Sequence, residues 1–246
     1  MCLIVFAWRP GHDVPLVVAS NRDEFHARPT APLARWEDAP LIRAGRDLEA
    51  GGTWLGVDDG GRFATVTNIR GPAKAPGKRS RGELPERFLR GDLSPADYLA
   101  DLVDQTRRYA GFNLLVGDRD TLCYFNSEEG VPRPLEPGLY GLCNARLDTP
   151  WPKLVQARAG LEDALNDPTD DRLLALLADR QQAADGQLPQ TGVTVDWERV
   201  LSSIFIAGPL YGTRSSLVLR RDAEGRFEGL ERRFGPNGIP LGETRL

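Results

Sequence analysis

Met1-Cys2-Leu3-Ile4-Val5-Phe6-Ala7-Trp8, followed after a turn by Leu16-Val17-Val18-Ala19-Ser20-Asn21-Arg22-Asp23-Glu24, is the stretch on which the fold turns. Residues 3–8 and 16–19 are unbroken apolar runs. Between them lies Arg9-Pro10-Gly11-His12-Asp13, a cluster of turn-forming residues. Two short apolar runs across such a turn predict an antiparallel hairpin whose strands are buried on both faces. That hairpin sets Cys2 at one end and the polar run 20–24 near it.

The same pairing recurs downstream. Residues 52–57 and 62–68 predict a second hairpin across Asp58-Asp59-Gly60-Gly61. A Pro/Gly/Lys loop follows at 71–77. Ser94-Pro95-Ala96-Asp97 predicts a helix start, with a Ser cap, Pro at the first helical position and an acid at the third. Strand character returns at 112–116, 121–125 and 139–143. Thr149-Pro150 predicts a further helix start, with Leu154, Ala157, Leu161 and Leu165 on one side, and 173–177 a second helix. Residues 181–190 read as a loop. Strands at 202–206, 215–219 and 226–234 close the chain. Strands and helices thus come in blocks rather than one by one, which argues against a doubly wound parallel fold. Hairpins argue for antiparallel pairing. The expectation is α/β: two stacked, mainly antiparallel sheets between helical layers, a four-layer αββα sandwich, in one domain spanning 1–246.

The chain has 246 residues, enough to bury a sizeable core, and its 41% hydrophobic and 27% charged content is ordinary for a globular protein. A formal net charge of −4 leaves no overall basic footprint for nucleic acid. The local basic run from 74 to 81 reads as a solvated loop. No apolar stretch approaches the ~20 residues of a membrane helix, and the apolar start lacks the basic flank of a secretory signal. Three cysteines without CxxC spacing, Cys2, Cys123 and Cys143, suggest a reducing cytoplasm rather than a disulfide framework. Neither a metal nor an organic cofactor is called for.

With only His12 and His26 available, a nucleophile that needs no histidine is attractive. Removal of Met1 is favoured by the small second residue and would leave Cys2 with a free α-amine. That amine, with a reference pKa of about 7.7–8.0 against about 8.5 for the thiol, can act as the base for its own side chain. The plain alternative is a small buried hydrophobe. Asn21, Arg22 and Asp23 read either as a solvated turn or as a strand end beside the N-terminus, where Asp23 orients the amine and Arg22 grips a carboxylate or phosphate. Asn68 and Asn144, at strand ends, can donate N–H groups to an oxyanion or serve as turn and cap residues. Tyr211-Gly212-Thr213-Arg214-Ser215-Ser216 reads as a strand start carrying one Arg.

Asn21-Arg22-Asp23-Glu24 spells the signature of the NRDE family, also called the transport and Golgi organisation family, and the chain resembles that family at several further places: Met1-Cys2, Gly51-Gly52-Thr53-Trp54-Leu55-Gly56, Thr67-Asn68, Ser80-Arg81-Gly82, Asn144 with Leu147-Asp148-Thr149-Pro150-Trp151-Pro152-Lys153, and the 211–216 stretch. The family is in turn similar to N-terminal-nucleophile amidases of the bile-salt hydrolase and penicillin acylase group. The resemblance implies Cys2 as nucleophile, Asp23 beside the α-amine, Asn68 and Asn144 around the oxyanion, and Arg214 as a late-chain arginine. Those amidases carry an arginine where this chain has Ala19 and Ser20. Two functions follow as expectations. The first is a cytoplasmic hydrolase or acyltransferase acting on a C–N amide or acyl thioester, with Cys2, Asp23, Asn68 and Asn144 catalytic and Asn21, Arg22 and Arg214 binding a small-molecule substrate. The second is a binding or trafficking protein for heme or an acyl ligand on a hydrolase-like scaffold.

Overall fold

The computed structural model describes residues 2–71 and 77–246. The fate of Met1 and the part of the 71–77 loop that holds Lys74 lie outside the described residues.

The first hairpin forms as expected. β1 (Cys2–Trp8) pairs antiparallel with β2 (Leu16–Phe25), Trp8 opposite Leu16 and Cys2 opposite Arg22. β2 runs six residues past the apolar stretch because β11 (Tyr211–Arg221) pairs along its other edge and meets the backbone groups of its polar end. A polar run can thus stay in strand form where it has partners on both sides.

These strands belong to a six-stranded sheet in the order β10-β1-β2-β11-β12-β13, which adds β10 (Gly138–Leu142), β12 (Phe227–Phe234) and β13 (Pro240–Arg245). A seven-stranded sheet runs β3-β4-β5-β6-β7-β8-β9 from β3 (Thr30–Trp36) to β9 (Arg133–Pro134). Its centre holds β4 (Ala39–Asp47), β5 (Leu55–Asp58), β6 (Phe63–Asn68), β7 (Phe112–Gly117) and β8 (Leu122–Asn126). Every pairing in both sheets is antiparallel. The β5–β6 turn follows from its sequence: the Asp58 carboxylate accepts the N–H groups of Gly60 and Arg62, and Gly61 takes φ +92°.

Three cores separate four layers. Ile4, Phe6, Leu16 and Val18 of one sheet meet Leu55, Phe63 and Leu115 of the other. The outer face of the seven-stranded sheet packs under α1 (Glu83–Arg90) and α2 (Pro95–Val103) through Val66, Phe88, Leu99 and Phe125. The outer face of the six-stranded sheet packs under α3 (Pro152–Ala164) and α4 (Asp170–Leu176) through Leu3, Val5, Leu154 and Leu161. Period-two alternation in β1 makes this possible, because it sends Cys2, Ile4, Phe6 and Trp8 inward and Leu3, Val5 and Ala7 toward the helices. The αββα sandwich is therefore the architecture.

The Ser94 cap forms, its hydroxyl accepting the Asp97 N–H. Two local expectations are corrected. The third helix begins at Pro152 rather than Pro150, with Trp151 as its cap residue. Residues 202–206 are not a strand: α5 (Val195–Leu201) ends there, and Ile206 is held by one residue of β11, Thr213, whose hydroxyl accepts the Ile206 N–H and whose N–H donates to Ile206 O. β3, β4, α1, α5 and β13 had no counterpart in the sequence reading.

Candidate active site

Where the inter-sheet core ends, beyond Ile4, the two sheets part around a cavity of about 530 Å³ whose wall includes Cys2, Arg22, Trp54, Thr67, Asn68 and Arg81. Cys2 opens this end of β1 and is 7% exposed. Arg22 faces it across the hairpin on the same side of the sheet. Its guanidinium lies 4.1 Å above the Trp54 ring, and Nη1 donates to Thr30 Oγ1 at 3.3 Å.

Asp23, one residue on, turns to the helix side. It is fully buried, pairs in register with Thr213 and accepts from Thr213 Oγ1 at 2.8 Å. Burial pushes its carboxyl up, against the pull of Lys153, the Thr213 hydroxyl and Arg70. Lys153 is 3% exposed, and Arg70 is buried in an ion pair with Glu198 of α5 at 3.0 Å. Glu198 also accepts from the backbone N–H and hydroxyl of Thr191. A buried charged layer thus stands behind Asp23.

Asn68 ends β6 and reaches the cavity wall. Asn144 is fully buried behind it. The Asn144 Nδ2 donates to Asn68 O at 3.1 Å and Oδ1 at 3.0 Å, while its own Oδ1 accepts from Cys143 Sγ at 3.3 Å. This corrects the expectation of Asn144 as a direct oxyanion donor, since both ends of its amide are committed within the protein. It is not a helix cap either, because the α3 cap is Trp151.

Two further assignments change. Asn21 is fully buried on the helix side, where Nδ2 donates to Leu177 O and Ile204 O and Oδ1 accepts from Ser216 Oγ. Both of its amide N–H groups tie β2 to the helical side and its oxygen is bonded to β11, so this fully buried side chain is structural rather than substrate-binding. Arg214 lies outside the Cys2 cavity and donates through Nη1 to Phe25 O and Arg28 O, which fastens the end of β2. Neither histidine lines the cavity. Among the described residues no group of three or more His, Cys, Asp or Glu side chains could hold a metal.

Burial pushes the Cys2 thiol up, and Asp23 adds to this while Arg22 opposes it. Burial outweighs the pull of the Arg22 guanidinium on the thiol. Cys123 is also pushed up by burial, in the core under α1 and α2.

Trp54, Arg81, Lys153 and Thr213 stood inside the quoted motif stretches without a role. Arg70 and Glu198 carried no signal, because their meeting depends on α5 folding back against the loop after β6.

Comparison with known proteins agrees with this architecture. The chain is 33% identical to the Transport and Golgi organization protein 2 homolog of Homo sapiens, over 100% of this chain and 97% of that one. It is 33% identical to the homolog of Mus musculus, over 94% and 92%, and 28% identical to Transport and Golgi organization protein 2 of Drosophila melanogaster, over 94% and 91%. Among solved structures it is similar to a Caenorhabditis elegans N-acylethanolamine-hydrolyzing acid amidase ortholog, with TM-score 0.58, 11% identity and 100% coverage of both chains. It is also similar to a conjugated bile acid hydrolase from Clostridium perfringens, with TM-score 0.52, 6% identity and coverage of 99% and 92%. At such identities these two likenesses speak for the fold alone. The family described as Transport and Golgi organisation 2 matches residues 1–236, and the chain belongs to it.

Proposed function

We propose that this protein is a hydrolase or acyltransferase for a C–N amide or an acyl thioester, working in the cytoplasm on a small-molecule substrate with Cys2 as nucleophile. The observation that carries the reading is the position of Cys2: a thiol at a strand end, facing a cavity between two sheets, with an amide at one side and a buried carboxyl behind.

In this reading Met1 is removed and the Cys2 α-amine takes the thiol proton. Sγ attacks the substrate carbonyl carbon, and the oxygen becomes an oxyanion. Asn68 Oδ1 is turned toward Asn144, which leaves its Nδ2 as the donor for that oxyanion. The C–N or C–S bond then breaks, the leaving group takes the proton from the amine, and a thioester remains on Cys2. The amine, neutral again, takes a proton from water or a second acceptor as it attacks the thioester carbon; the C–S bond to Cys2 breaks, Sγ takes the proton back and the acyl product is freed. Asp23 stabilises the protonated amine, and Lys153 and Arg70 favour its ionised form despite burial. The two solved neighbours are, by name, hydrolases, which supports this class of chemistry.

A carrier for heme or an acyl ligand is the second reading, favoured by the raised Cys2 thiol. Turnover of a panel of amides and acyl thioesters separates the two. The enzyme reading expects Cys2-dependent turnover, abolished in Cys2→Ala with the fold intact. Saturable ligand binding with no turnover, unchanged in Cys2→Ala, decides for the carrier.

A further inference from the structure

Five cations line the wall of the Cys2 cavity: Arg22, Arg28, Lys78, Arg79 and Arg81. Arg28 is held by Asp47 at 2.7 Å and Glu49 at 3.2 Å, and Arg79 by Glu83 at 2.7 Å. Arg22 and Arg81 have no carboxylate within ion-pair distance among the described residues. Yet Arg22 is only 6% exposed. Its protein partners are the Thr30 hydroxyl and the Trp54 ring, and Arg81 Nη1 donates to Gly111 O at 3.2 Å.

Sinking a guanidinium into a wall without a counter-charge is costly. Burial draws the affinity of both groups for their protons down. Both side chains line the cavity wall, and none of their nitrogens is among the buried polar atoms left without a partner. The nearby carboxylates offset them only in part: Glu24 and Asp47 act on Arg22 and Glu24 on Arg81, yet burial is the larger influence on both. Asp47 and Glu49 already pair with Arg28, the Glu24 carboxylate accepts the Phe25 N–H at 2.8 Å, and Glu231 accepts the Leu33 N–H at 2.9 Å.

We infer that Arg22 and Arg81 form a subsite for an anionic group of the ligand, a carboxylate, held beside the Cys2 thiol. The inference rests on the Cys2 cavity being the ligand site. The Arg22 guanidinium sits 4.1 Å from the Trp54 ring centroid with Nη1 engaged on Thr30 Oγ1. Its Nε and Nη2 donate to no protein group among the described residues, and two parallel N–H groups on one edge can take the two oxygens of a planar carboxylate. The substrates expected to fit are therefore acyl derivatives of amino or hydroxy acids, or diacids, rather than neutral amides.

Iodoacetate and iodoacetamide test this on the full chain, because they deliver the same carbon to the thiol and differ in charge. Alkylation of Cys2 by each is followed by peptide mapping at a pH where the thiol begins to ionise. The iodoacetate-to-iodoacetamide rate ratio should fall about tenfold in Arg22→Gln and in Arg81→Gln, the scale of a lost charged hydrogen bond. Arg22→Lys, which keeps the charge and loses the fork, should fall between. Sodium acetate should suppress the iodoacetate reaction more than inorganic phosphate does. If both reagents slow equally and the ratio holds, the arginines only tune the thiol and the subsite is overturned. Stronger suppression by phosphate overturns the carboxylate assignment. If native Cys2 resists both reagents, the nucleophile reading is what fails. The subsite is then read from the rise in melting temperature that acetate gives over chloride at equal ionic strength: its loss in both Gln variants upholds the subsite, and its persistence overturns it.

Discussion

Asn68 and Asn144 carry the sharpest residue-scale consequence. Asn68 fronts the cavity and Asn144 holds it by two hydrogen bonds, so the two act as one unit. Asn68→Ala should lower turnover by about 10²–10³, the usual loss for one oxyanion donor. Asn144→Ala should lose nearly as much through misorientation, and the double variant little more than either alone. Steady-state kinetics on the three variants check this; additive losses would mean independent roles. The thiol gives a pH prediction. Burial raises the folded Cys2 value above the ordinary thiol value of about 8.5. The associated stability is then fully present below that value and lost as pH rises through the folded one. Alkylation of Cys2 in the folded chain that keeps Met1 should accordingly be slow at neutral pH and climb only above the range of the unfolded chain. A rate profile with its midpoint near about 7 would contradict burial as the dominant influence. Cys2, Arg22 and Asn68 were legible because a strand end beside a turn is a place where a side chain meets a cavity. Which of two strand-end amides stands in front depends on a hydrogen bond between residues 76 positions apart, and no spacing rule encodes that.

At the scale of elements, the polar end of β2 shows what a strand's neighbours decide. Alone, residues 20–24 read equally as a turn; between β1 and β11 they are strand, with Arg22 and Asp23 on opposite faces. α5 escaped notice because seven residues with exposed Val195 and Trp197 present little apolar face. Its weight lies in one buried acid, Glu198, paired with Arg70. The loop 48–54 joins β4 to β5 and bears on the cavity through Trp54. Gly52 packs so closely on the start of α1 that an added Cβ would lie 2.3 Å from Gly82 O. The Thr53 N–H donates to that same oxygen. Gly52→Ala should push the 80–82 segment away, costing about 1–3 kcal/mol in denaturant unfolding and slowing Cys2 chemistry through Arg81. Unchanged stability would show that the segment yields freely.

For the whole molecule, block order and turn chemistry were enough to reach αββα, because antiparallel sheets with one face toward each other and one toward helices are what such an order can close. They did not reveal what locks the sheets together at the end far from Cys2. There Arg221, 1% exposed at the end of β11, donates to Gly61 O, Asp118 O and Arg119 O across the sandwich. One cation ties two turns of the seven-stranded sheet to the six-stranded one. Arg221→Met keeps the volume and strands three carbonyls, so it should destabilise by about 3 kcal/mol or more while leaving Cys2 reactivity in the folded protein unchanged. Thermal unfolding alongside alkylation kinetics checks both halves; a small loss would mean water replaces the guanidinium.

In the proposed chemistry the Sγ of Cys2 accepts an acyl group. Intact-mass analysis of the full chain after brief exposure to an activated acyl ester, with peptide mapping of the adduct, addresses that directly. The expected result is a chain that begins at Cys2 and gains one acyl group there, slowly shed on standing and absent in Cys2→Ala. A chain that keeps Met1 throughout and gains no acyl group, or gains it at Cys123 or Cys143 instead, would contradict the account.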